Sequence, residues 1–370
     1  MTFESGPKVR DMTRGGRALA IEVDPGSVYE LLLTAWTAFD VTENHDGFEV
    51  GADWFEEVAE STPAHVRAEM KELGGEKGGV WCALRGLVML APTPHDVEPV
   101  LDWIARLDPS EIRRGLLSYE LVEPADPTRV DLAVEGDTEA LGALLADKPE
   151  VLDHYARLFS LGRGELRDRL VAVLREFRSV LSQFTSEFAP AITRAAHDVR
   201  PMLKGADPER VIEAVTNGLD YRIRPGTTRL VLVPSVVARP WAVIDQYQDV
   251  LMVVYPVADE YLSADPGAPP SWLVKVNKAL GDDKRLRILR RLAEGPTTLD
   301  ELASLLEVTK STAHHHVGLL RAAGLVRVAV DPTKGSKTYS FRPTVLPGAH
   351  QALDEYLDRP DPLQTARSER

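Results

Sequence analysis

Between Ser271 and Phe341 the sequence prescribes an order of elements that few folds accommodate. Trp272–Leu280 has the spacing of a short amphipathic helix, and Asp282–Ala293 that of a second, with Leu286, Leu289 and Leu292 inward until Gly295-Pro296 stops it. Thr298 caps a third helix over Leu299–Leu306, with Asp300 and Glu301 in its favourable first turn. A four-residue connection, Glu307-Val308-Thr309-Lys310, leads into a fourth helix with Thr309 as its cap. Ala322-Ala323-Gly324 ends that helix. Leu325–Val330 and Lys337–Phe341 then alternate as a hairpin around Asp331–Ser336, and Pro347–Leu357 has the pattern of a last helix.

Helix, tight turn and helix is the arrangement that holds a second helix against the major groove of duplex DNA. At 100° per residue, Ala313, His316, Val317 and Leu320 of that helix fall on one side and pack inward. Ser311, His314, His315 and Gly318 fall opposite, with Lys310 and Thr312 at the helix start. Hydroxyls, imidazoles and a lysine offer donors to phosphates and base edges. Lys334 and Lys337 sit at the hairpin tip, placed to reach the neighbouring DNA backbone or minor groove. The three consecutive histidines point in three directions and cannot chelate one ion together.

The run LGDDKRLRILRRLAEGPTTLDELASLLEVTKSTAHHHVGLLRAAGLVRV, with KGSKTYSF after it, resembles the winged helix-turn-helix of the ArsR/SmtB family. The resemblance implies DNA contacts at Lys310, Ser311, Thr312, His314 and His315, matching the angular sort. It also implies a homodimer through the first and last helices, with Trp272, Val276, Leu280, Leu353, Tyr356 and Leu357 as seam candidates. Metal-sensing members carry a cysteine pair before the turn, or a carboxylate and histidine set in the last helix. Here the first place reads Leu299-Asp300-Glu301-Leu302 and the last helix has only His350, so metal sensing is not expected.

The remainder of the chain is different in kind. Of the net charge of −14, residues 271–345 carry +6, leaving −20 elsewhere: a basic module on an acidic body. Helical patterns recur from Val28 to Leu219, the longest over Arg163–Phe188, and Arg17–Val23 reads as a strand. The period then changes. Arg229–Val233, Trp241–Gln246 and Val250–Tyr255 read as a strand and a hairpin, with Tyr221–Ile223 a candidate fourth strand. The expectation is an α+β fold: residues 1–260 a helix-rich domain with a small antiparallel sheet, 261–270 a linker, 271–358 the winged helix-turn-helix and 359–370 a tail. Ser263–Ser271 (SADPGAPPS) has nothing to anchor it in a core, so the segment after it is expected to fold alone. The N-terminal part resembles the domain preceding this module in some bacterial regulators, notably around LVLVPSVVARPW, and that likeness implies no chemistry.

One cysteine, Cys82, excludes an internal disulfide and a cysteine-rich metal site; beside Trp81 it reads as a buried structural thiol. Arg222, Arg224, Arg229 and Arg239 cluster around the strands as anion ligands or, the better reading, as an ion-paired sheet edge. The scattered histidines show no ligand spacing. With no apolar run long enough for a membrane and no secretory start, the expected place is the cytoplasm, and no cofactor is expected. These features point to a transcriptional regulator, not an enzyme, binding a double-stranded DNA operator and answering a non-metal small-molecule effector through its N-terminal domain. The alternatives are that this domain is a dimerisation or docking body without ligand, or an enzyme fused to a DNA-binding module.

Overall fold

RLVLVPS and VLMVVYP lack the alternation of a half-exposed sheet, and the reason is that both faces of these strands are covered. The structure is a computed structural model describing residues 19–39, 45, 48–75, 78–121, 125–262, 269–330, 336–343 and 345–358. It opens with β1 (Ala20–Val23), α1 (Ser27–Thr37), α2 (Ala52–Ser61), α3 (Ala64–Gly74) and α4 (Gly79–Val88). There follow α5 (Val97–Arg106), α6 (Pro109–Glu120), α7 (Pro127–Glu135), α8 (Thr138–Leu144) and α9 (Pro149–Ser160). α10 (Arg163–Thr185), α11 (Phe188–Val199) and α12 (Pro208–Val215) precede β2 (Leu219–Tyr221), β3 (Arg229–Ser235), β4 (Val243–Tyr247) and β5 (Val250–Pro256). The C-terminal module comprises α13 (Ser271–Leu280), α14 (Asp283–Ala293), α15 (Leu299–Leu306), α16 (Lys310–Ala322), β6 (Val326–Val330), β7 (Lys337–Phe341) and α17 (Val345–Leu357).

The α+β class stands as expected, but the N-terminal sheet is mixed. Its order is β1-β3-β5-β4, with β1, β3 and β5 parallel and only β4 antiparallel to β5. Val231, Val233, Val250, Met252 and Val254 face a core built with α1, α4, α5, α6 and α10. Leu230, Leu232, Leu251, Val253 and Tyr255 face the other way, into a second apolar cluster. That cluster continues through Val211, Ile212, Leu219 and Tyr221 into Leu273, Val276, Ile288, Leu302, Val317 and Leu320 of the C-terminal module. The core therefore does not divide at residues 260–271, where the sequence places a boundary.

Backbone pairing crosses the same line. β2 joins not the N-terminal sheet but β6, in parallel, completing a three-stranded sheet β2-β6-β7. Glu213 and Asp220 both receive Arg327 of β6, the latter at 3.8 Å. Asn217, in the turn before β2, donates to the carbonyls of Arg321 and Ala322 at 3.5 and 3.4 Å and accepts from Arg342 at 3.2 Å.

Local chemistry explains most helix starts. α6, α7 and α12 each begin Asp-Pro, where Asp108, Asp126 and Asp207 accept from backbone N–H groups two residues on, at 2.9, 3.1 and 3.0 Å. Proline at the first helical position loses no hydrogen bond there. α7 and α11 are helices that the hydrophobic pattern did not single out, and Pro190 falls in the first turn of α11, where it is tolerated.

Candidate nucleic-acid interface and its cover

The turn-flanking helices are set by reciprocal capping. Thr298 Oγ1 accepts from the Glu301 N–H at 3.3 Å and Glu301 Oε2 from the Thr298 N–H at 3.1 Å, closing a capping box on α15. Glu307 takes the left-handed conformation (φ 55°) that reverses the chain, and Thr309 Oγ1 then accepts from the Thr312 N–H at 3.2 Å to start α16. Thr297 exchanges backbone hydrogen bonds with Tyr339 of β7 at 3.0 and 2.8 Å, tying the start of α15 to the wing.

α16 divides as helical geometry requires. Ala313, Val317 and Leu320 are buried and His316 is half-buried, 3.8 Å from Asp282. On the opposite side Lys310, Ser311, His314 and His315 are exposed, and Thr312 is intermediate. Lys310 is paired with Asp300 at 2.9 Å. Lys337 is exposed at the loop-side end of the wing, opposite Val330, and it helps lower the His314 imidazole's pKa, behind the larger effect of desolvation. Lys334 lies outside the described residues.

What the sequence reading missed is what lies over this face. Trp241, in the connection between β3 and β4, stacks on His314 with ring centroids 5.6 Å apart and planes 11° from parallel. The Arg321 guanidinium lies over the same indole, 5.9 Å from its centroid. Gly318 sits between them and is buried: a Cβ there would stand 2.8 Å from Trp241 Cη2, so only glycine lets the indole reach the helix. A signal for this was present, since His314, Gly318 and Arg321 are an i, i+4, i+7 stripe that continues the proposed reading face by one more turn.

The connection carrying Trp241 is itself anchored. Glu30 of α1 is buried, and its carboxylate accepts from the Val236 and Val237 N–H groups, both at 3.1 Å. Burial pushes this carboxyl up to about 7, against hydrogen bonds from Ser235 and those two amides. Ser235 Oγ accepts from the Ala238 N–H at 3.0 Å, and the Ala238 carbonyl from the Trp241 N–H at 2.7 Å, so the chain is fixed up to the indole. A second tie between body and module is ionic: Lys275 of α13 pairs with Glu49 at 2.8 Å and Asp259 at 2.7 Å, and Arg239 shares both carboxylates.

The arginines singled out beside the strands do not converge on one site. Arg222 pairs with Glu209 at 2.5 Å, Arg229 with Glu22 at 2.5 Å, and Arg239 with Glu49 at 2.6 Å. Cys82 is buried, and burial raises its pKa despite the nearby Arg85, which is held by Asp245 at 2.9 Å. Among the described residues, no group of three or more His, Cys, Asp or Glu side chains is placed to hold a metal ion, and no helix is long and apolar enough to cross a membrane. Of the seam candidates, Trp272 and Leu357 are exposed, whereas Val276 is buried within its own chain and Leu280, Leu353 and Tyr356 are half-buried.

Comparison with known proteins agrees with the geometry of the module. A helix-turn-helix domain family matches residues 280–329. An HTH-type transcriptional regulator of Mycobacterium tuberculosis is 34% identical over 82 residues, which is 22% of this chain and 75% of that protein. No solved structure matches the chain. The chain belongs to the helix-turn-helix transcriptional regulators, its helix-turn-helix domain lying in residues 280–329.

Proposed function

We propose that this protein is an effector-responsive regulator of the ArsR-like kind, in which the N-terminal body governs access of α16 to DNA. The observation that carries the reading is the Trp241 stack. A recognition helix contacts base edges with the side chains that enter the groove. An indole stacked on His314 and seated against Gly318 occupies the space those edges would need along the middle of α16. The conformation described is then the closed one, and DNA binding requires the module to move away from residues 236–244. The body acts here as a sensor, not a catalyst. The working unit is a homodimer in which the exposed Trp272 and Leu357 meet their counterparts, setting two reading heads on a pseudo-palindromic operator.

Trp241→Ala tests this. It removes the ring stack and the cation–π contact without touching any side chain of α16. Fluorescence anisotropy on labelled duplexes selected from a random pool should show tighter binding by the variant, about tenfold for a loss of one such pair of contacts. Unchanged or weaker binding by Trp241→Ala would show that the body does not cover the reading face.

A further inference from the structure

Beneath the Trp241 cover the body and the module do not close completely. A cavity of about 600 Å³ remains between them, within the range of small-molecule sites. One wall is apolar and aromatic, formed by Leu33, Trp36, Phe48, Val237, Trp241 and Ile244 of the body. The other is the reading face itself: Ser311, His314, His315 and Arg321, with Lys337 from the wing. In a chain of net charge −14 this cavity is lined by an arginine, a lysine and two histidines, and by no carboxylate among the described residues.

Arg321 is the informative member. Its Nε and Nη2 atoms are shielded from solvent and have no hydrogen-bond partner. Desolvation lowers its pKa, with Tyr339 the opposing influence. A buried cation without a counter-ion is strongly disfavoured and calls for an anion. Of the three acids of an adjoining cavity that Arg321 also lines, Glu49 and Asp259 are already taken by Arg239 and Lys275, and Glu260 is not paired with Arg321. In the closed conformation DNA phosphate does not answer the need, because these two nitrogens are shielded from solvent. Nε and Nη2, the unpartnered pair, are the two nitrogens that together receive a planar, bidentate acceptor.

We propose that this cavity is the effector site, and that it takes a small aromatic carboxylate whose ring lies among Trp36, Phe48 and Trp241 and whose carboxylate is received by Arg321. This rests on the masked-face reading above. Such a ligand bridges the module to its cover and so binds the closed conformation, which makes it an antagonist of DNA. By linkage, DNA lowers the ligand's affinity by the same factor that the ligand lowers DNA's.

The experiment uses the full chain with 2-naphthoate as probe and the uncharged 2-naphthamide as its neutral counterpart, read by titration calorimetry. Naphthoate should bind one site per chain, about ten- to a hundredfold more tightly than the amide, as expected for a charge-assisted pair. Arg321→Met, which keeps the aliphatic stem and removes an unpaired buried charge, should fold and abolish the preference. Ala242→Phe, on the cavity wall, should block both probes while leaving Arg321 in place. In wild type, naphthoate should weaken DNA binding, and in Arg321→Met it should not. Equal affinity for acid and amide, no binding of either, or unchanged naphthoate binding by Arg321→Met would overturn the proposal. The two readings fail separately. If Trp241→Ala releases DNA binding but naphthoate does not bind, the ligand proposal alone falls. If naphthoate binds through Arg321 but does not compete with DNA, the site stands as a ligand site and its antagonism falls.

Discussion

Deleting residues 1–268 tests the shared core directly, because a freely linked module would survive it. The fragment 269–370 keeps α13–α17 but loses β2, α12 and the sheet face that closes the second cluster. Val211, Ile212, Leu219 and Tyr221, all buried, are the partners it loses nearest to β6. Fully burying a side chain of this kind is worth about 1.5–3 kcal/mol. Four of them amount to about 6–12 kcal/mol, which is comparable to the entire stability of a typical domain, about 5–15 kcal/mol. The fragment also exposes the edge of β6, an invitation to association. In far-UV circular dichroism it should show no cooperative melt at the full chain's transition, and it should bind a hydrophobic dye. In the intact chain, Ile212→Ala should cost about 2–5 kcal/mol and reduce hydrogen-exchange protection of α14–α16, although it lies upstream of the linker. A fragment that melts cooperatively at the full chain's temperature, or an Ile212→Ala variant whose α14–α16 amides exchange at the wild-type rate, would refute the shared core.

Three further outcomes follow from particular residues. Glu30 holds its proton more tightly folded than unfolded, so its contribution is fully present below its ordinary value of 4.5 and is lost as pH rises through about 7. Urea titrations at pH 5 and pH 8 should therefore show a fall of up to about 3 kcal/mol that Glu30→Gln lacks, and equal pH slopes in the two proteins would rule it out. Gly318→Ala should stabilise α16 by about 1 kcal/mol of helix propensity yet expel the indole, seen as a red-shifted tryptophan emission; an unshifted spectrum would mean the contact does not form in solution. Replacing Lys334 and Lys337 together with alanine should flatten the dependence of log K on log salt by about two units for any DNA sequence, and an unchanged slope would remove the wing from the DNA contact.

The C-terminal module was legible because each of its devices is local: the Thr298–Glu301 box, the Thr309 cap, the Gly324 stop and the alternation of β6 and β7 all lie within a few residues of what they organise. α7 was legible in principle too, since Asp126-Pro127 repeats the start that marked α6. The parallel pairing of β3 with β5, and of β2 with β6, was not legible. Parallel partners are distant in sequence, and strands buried on both sides lose the alternation that would betray which face meets what. Proline and glycine in residues 263–271, of which 263–268 lie outside the described residues, read as a connection in the sequence, but a connection between segments does not tell whether their apolar faces meet. The cover on α16 escaped notice for a similar reason. Gly318 and Arg321 mean little until Trp241, more than seventy residues earlier, is known to lie against them.

The strand β2 sets the mechanics of any opening. The chain passes from body to module at β2, back at β3, and over again at α13, so three crossings strap the two parts together and they cannot simply drift apart. Asn217 grips the last carbonyls of α16, and β6 leaves from the same end, which makes the C-terminal end of the helix the pivot. The helix of 13 residues is then a lever of about 20 Å whose far tip carries Lys310, Ser311 and Thr312. A rotation of about 20° at the seam sweeps that tip by roughly 7 Å while its root hardly moves. The residues with the greatest travel are those that must enter a groove, whereas Arg321, beside the pivot, moves far less even as it parts from Trp241.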